Sequence, residues 1–118
     1  MEETSSQTQQ LIDKLIKPAV AGVYFSKHDI VKIALGINGA ITVGDRKMMF
    51  KDLFKLVDSA ESFQELLDVI IAHTEDKIGL YRQMIDEYPH CAFAMTPWIE
   101  QSQTLITHLK EIKEEVYL

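Results

Sequence analysis

The sequence predicts an all-α fold, a single-domain bundle of about five helices, and three observations carry that expectation. Apolar residues recur at three- and four-residue steps along most of the chain. Two such stretches, 62–88 and 97–116, are long enough to span a small domain. The short segment 40–43 is apolar and β-branched, but no second strand candidate exists to pair with it.

The organising element is a long central helix over 62–88. Ser62 and Glu65 read as a capping box that satisfies N–H groups at a helix start. Phe63, Leu67, Ile70, Ile78, Tyr81, Ile85 and Tyr88 then gather on one face, with Glu65, Asp68, Glu75, Asp76, Arg82, Asp86 and Glu87 on the other. Pro89 stops the helix, because it lacks the amide hydrogen and disfavours helical dihedrals at the preceding residue. Such a helix cannot bury its stripe alone, so the other segments are expected to cover it. The last helix, 97–116, is expected to lie antiparallel to it. Its start is read from Thr96 as cap and Pro97 as first helical residue. Trp98, Ser102, Leu105, Leu109, Ile112 and Val116 form an a/d seam, and Ile99 and Ile106 a second column about 100° away.

Before this pair, residues 1–8 are polar and expected to be frayed. Leu11, Ile12, Leu15 and Ile16 mark a first helix that Pro18 is expected to kink. The charge-free run 19–25 is expected to be buried. Ser26 and Asp29 read as a second capping box opening a helix over 27–37, which Asn38-Gly39 ends in the left-handed region. Residues 40–43 are expected to form a buried linker, and Gly44-Asp45 to start a helix to Val57 that buries Met49, Phe50, Leu53 and Phe54. The apolar connection 89–95 is expected to tuck under the bundle.

Composition bounds function. A chain of 118 residues with 47% hydrophobic content fits one domain with a sizeable core. The acidic beginning and the lack of a long apolar run suggest no leader and no membrane span, hence a cytoplasmic protein. Cys91 stands alone, which excludes an internal disulfide. A net charge of −6 argues against a nucleic-acid partner, and Lys47, Lys51 and Lys55 read as a solvated basic face diluted by Asp45 and Asp52. Six acids and no bases between Asp58 and Asp76 polarise the surface.

Few residues invite chemistry. His73 and His108 would face each other if the two long helices pack antiparallel, with Asp76 and Glu111 each one turn from an imidazole; this is the residue set for a metal- or haem-binding alternative. Partly buried, hydrogen-bonded histidines are the plainer reading, and no cofactor or metal is expected. His90 and Cys91 adjoin a proline break, but no cation or helix N-terminus is evident to activate the thiol. His28 and Asp29 fall in the first turn of their helix, where the acid suits the dipole. No nucleophile elbow, phosphate loop or calcium loop is present. The apolar residues that fall off the core faces are Met48, Val69, Leu80, Ile99 and Ile106. They point to a non-enzymatic module working by protein–protein contact, self-associating as a homodimer or higher oligomer through the last helix, or else binding another protein. An acidic inhibitor of a nucleic-acid enzyme is a further alternative.

Overall fold

The computed structural model describes residues 6–116. The described residues form α1 (Ser6–Ile16), α2 (Pro18–Ala21), α3 (Lys27–Gly36), α4 (Arg46–Lys55), α5 (Ala60–Glu87) and α6 (Ala92–Val116), with a 3-10 turn at Pro89–Cys91 between the last two. The all-α expectation holds, and one apolar cluster draws on every helix. Residues 1–5 of the segment expected to fray lie outside the described residues, whereas 6–8 already belong to α1.

Pro18 separates two helices rather than kinking one. Lys17 is extended (φ −94°, ψ 108°), as a residue before proline prefers, and Pro18 occupies the first position of the one-turn α2. That turn ends at Gly22, whose φ of +83° is open to glycine at little cost. Space demands glycine there as well, since a Cβ would sit 2.5 Å from the Ser102 amide nitrogen and 2.6 Å from the Trp98 carbonyl. The turn therefore lies backbone against backbone on α6. Tyr81 Oη donates to the Gly22 carbonyl at 3.1 Å, and Gln101 Nε2 to the Val20 carbonyl at 2.6 Å, so α5 and α6 both hold it. Burial pushes the Tyr81 phenol pKa up. Within 19–25, Ala21, Gly22, Val23 and Phe25 are buried, but Ala19, Val20 and Tyr24 face solvent.

The expected capping box at α3 is present, with Ser26 and Asp29 bonding each other's amides. Asn38 alone takes the left-handed conformation (φ 60°) beyond its end. The linker 40–43 has no regular structure, yet only Ile41 packs on the core, so it is not buried as expected. Asp45 caps α4, which ends at Lys55 and buries Met49, Phe50, Leu53 and Phe54.

The long helix starts at Ala60 rather than at Ser62. Ser59 is its N-cap and Ser62 answers it from the third position, each hydroxyl accepting the other's amide at 3.0 Å. α6 begins at Ala92, so Pro97 lies inside it rather than at its first position. In the second turn the missing amide costs a single hydrogen bond, which explains why the helix tolerates it. At the other end of the pair, buried Gln64 of α5 donates to the Lys113 carbonyl of α6 at 3.0 Å, and Lys113 pairs with Asp68. Ile78 and Arg82, further along α5, border a cleft with Gln103 and Ile106. The start of α5 thus meets the end of α6.

Arg46, in the first turn of α4, joins the N-terminal pieces. Its Nε donates to the Phe25 carbonyl at 2.7 Å, its Nη2 to the Ile16 carbonyl at 3.1 Å, and its guanidinium lies 4.3 Å from the Tyr24 ring centre. Arg46→Ala should lower the unfolding free energy by about 3 kcal/mol, the range expected for two charge-assisted hydrogen bonds. Arg46→Lys should restore less than half of this, because one ammonium cannot serve two carbonyls in fork geometry. Urea denaturation of the three proteins measures both; full rescue by lysine would show that the fork is not what stabilises this corner.

Candidate interaction surface

The two long helices are covered along only part of their length. Every buried residue of α5 lies between Gln64 and Ile78, and the first buried residue of α6 is Ile99. The end of α5, the 3-10 turn and the start of α6 therefore project as a helical hairpin. A 28-residue α5 is ~42 Å long at 1.5 Å per residue, close to the 50 Å longest dimension of the structure.

The cover on one face of α5 is α3, and its limits can be read from contacts. A Cβ on Gly36, at the end of α3, would touch Val69 of α5. At the other end, Asp29 in the first turn of α3 meets His73 and Lys77. So α3 lies along α5 from Val69 to Lys77 and goes no further. The same helix face continues at three- and four-residue steps through Leu80, Met84 and Tyr88 with no helix upon it. Leu80 is 56% exposed, Met84 42% and Tyr88 54%; across the turn, Phe93 is 93% and Trp98 40% exposed. The connection 89–95 does not tuck under the bundle, since Phe93 stands in solvent at its centre.

Other residues singled out in the sequence take different places. Ile99 and Ile106 are buried at 8% exposure each, which corrects their reading as a surface column: α6 packs on α5 along one side and on the α2 turn along another. Val69 is partly buried against Gly36. Met48 is exposed on α4, and Leu80 is the one expected contact residue that belongs to the hairpin end.

His73 and His108 turn to different helices. His73 stacks on Phe25 with ring centres 6.0 Å apart, and its Nε2 lies 3.1 Å from Asp29 Oδ1. That approach is off hydrogen-bond alignment, and Nε2 makes no hydrogen bond. His108 Nε2 lies 3.3 Å from Lys14 Nζ of α1, and its Nδ1 4.0 Å from Glu111 Oε1. Asp76 is exposed. Among the described residues, no three His, Cys, Asp or Glu side chains converge to hold a metal ion. Cys91 is free and partly buried, and His28 and His90 are exposed. The acids of 58–76 are all exposed, Asp68 being paired with Lys113. No described helix is long and apolar enough to cross a membrane.

Asp29 is the site residue whose importance the sequence understates. Burial would raise its pKa, but the Ser26 amide, the Lys77 ammonium and the Ser26 hydroxyl together outweigh that and hold it at about 2. Comparison with protein-family models, curated proteins and solved structures returns no match for this chain.

A carboxylate whose pKa falls from 3.8 to about 2 on folding contributes about 2 kcal/mol of stability, present above pH ~4 and lost as pH falls towards 2. Asp29→Asn should therefore be less stable than the parent by at least this much at pH 7, and the gap should narrow between pH 4 and pH 2. Thermal unfolding of both proteins across that range measures it. A gap independent of pH would mean that the carboxylate's charge contributes nothing.

Proposed function

We propose that this chain is a non-enzymatic helical module that works by protein–protein contact through the exposed end of the α5–α6 hairpin. The observation that supports this most is Phe93, 93% exposed near the tip of a hairpin on which Leu80, Met84, Tyr88 and Trp98 are also exposed. So many large apolar side chains in solvent near one end are uncommon on monomers that have no partner. The location moves the contact from the column Ile99 and Ile106 to Leu80, Met84, Tyr88, Phe93 and Trp98. A cytoplasmic setting suits a protein with one free thiol.

The alternatives draw less support. A metal or haem bridging His73 and His108 would have to draw His73 from Asp29 and Phe25, and His108 from Lys14. The groove of about 510 Å³ beside His108 mixes Lys14 with Glu100 and Glu111, so its walls favour neither charge of ligand. A phosphate-mimicking role for the acids of 58–76 would rest on an ordinary solvated helix face.

A photo-crosslinking amino acid placed at position 84 or 93, in cells of the organism that makes the protein, should give defined adducts. The same group at Leu35, which is exposed on α3, should give none. Absence of adducts at both hairpin positions would overturn the reading.

A further inference from the structure

We propose that the groove between α1 and α6 binds a short linear zwitterion of the size of a tripeptide, with Lys14 taking its carboxylate and Glu100 its ammonium. None of the residues of the hairpin contact is used, so this site stands or falls apart from it. The groove measures about 510 Å³, within the ~300–1,000 Å³ of small-molecule sites. Buried Leu105 and partly exposed Val20 give it apolar lining, and Thr104 and Thr107 add hydroxyls. Lys14 is the unusual member. Lys47, Lys77 and Lys113 each pair with a carboxylate, of Asp13, Asp29 and Asp68 respectively. The Lys14 Nζ instead lies 3.3 Å from His108 Nε2 of α6. An ammonium only donates, so the imidazole accepts at Nε2 and carries its proton on Nδ1, 4.0 Å from Glu111 Oε1. The ring thus fixes the ammonium at the groove without neutralising it, and among the described residues no carboxylate pairs with Lys14. Glu100 is the converse, an exposed carboxylate of the same groove with no cation paired to it among the described residues.

A ligand of one sign gains little in this groove. An anion at Lys14 lies in the field of Glu100 and Glu111, and a cation at Glu100 in that of Lys14. One exposed charge pair is also too weak to hold a small molecule, whereas two pairs at a set separation reinforce each other and select for length. The separation follows from the helix. His108, to which Lys14 is bonded, is eight residues beyond Glu100, about 12 Å along α6 at 1.5 Å per residue. An extended peptide spans ~3.3–3.6 Å per residue, so the charged ends of a tripeptide lie ~10 Å apart, and the two flexible side chains cover the difference. A single amino acid, with both charges on one carbon, cannot reach both.

Amide NMR spectra of the full chain titrated with triglycine test this. At the efficiency usual for drug-sized ligands a molecule of this size binds with a Kd of about 1 mM, so the titration runs to about 20 mM. Amides around Lys14 and from 100 to 108 should shift and saturate. N-acetyltriglycine and triglycine amide, each lacking one charge, and glycine, which is too short, should all bind about tenfold more weakly or not at all. Lys14→Gln and Glu100→Gln should lose as much. Lys14→Arg, which keeps the cation, should retain binding, and Lys55→Gln, exposed on α4, should behave as the parent. No saturable shift by triglycine at the highest concentration would overturn the proposal. So would equal affinity for glycine or either capped peptide, or parent-like binding by Lys14→Gln or Glu100→Gln.

Discussion

The Asp29 carboxylate decides how much of this molecule is covered. It sits in the first turn of α3 and is buried, held by the Ser26 amide at 2.8 Å on its own helix and by Lys77 Nζ at 3.0 Å on α5. A charge in that position is costly unless it is paired and hydrogen-bonded. The hydrogen bonds come with the helix start itself, but the pairing is made only if α3 begins level with Lys77. The capping box that starts the helix and the ion pair that docks it thus share one carboxylate, and α3 cannot slide along α5 without leaving that buried charge unpaired. One consequence is the packing of Phe25, Ile30 and Ile33 into the core. The other is that the end of α5, from Leu80 onward, has no third helix.

The turn after α2 sets the limit on the other side. Gly22 lies against the α6 backbone, and Tyr81 and Gln101 bind the carbonyls around it. Above that level the hairpin consists of two helices alone, whose apolar side chains cannot all point between them. Ile85 finds cover against the core, whereas Met84 and Phe93 do not. The exposed apolar end therefore follows from where two short segments stop.

Much of this fold is legible in the sequence because helical periodicity and capping are local. The Ser26 and Asp29 box, the Pro89 stop and the core residues of α4 all follow from neighbours within four positions. The errors arise where a distant segment decides. Asp29 reads as a dipole-friendly first-turn acid, since nothing local reveals Lys77 or His73. Ile99 and Ile106 look like surplus apolar surface until α6 is seen to pack on both α5 and the α2 turn. Periodicity shows that Leu80, Met84 and Tyr88 share a face with Lys77, but the point at which cover ends depends on tertiary register. The start of α5 was displaced because Ser62 fills the third position, where a capping box is usually recognised by Glu or Gln. The hairpin end did leave one signal: three aromatics in a charge-free run around a proline turn. A run of that kind fits a buried loop equally well, so it could not be placed from the sequence.

Hydrogen–deuterium exchange along α5 tests most directly whether the cover of this helix ends near Lys77. Amides of 64–78, inside the bundle, should exchange slowly, and amides of 80–88 markedly faster. Equal protection of the two stretches in the isolated protein would contradict it.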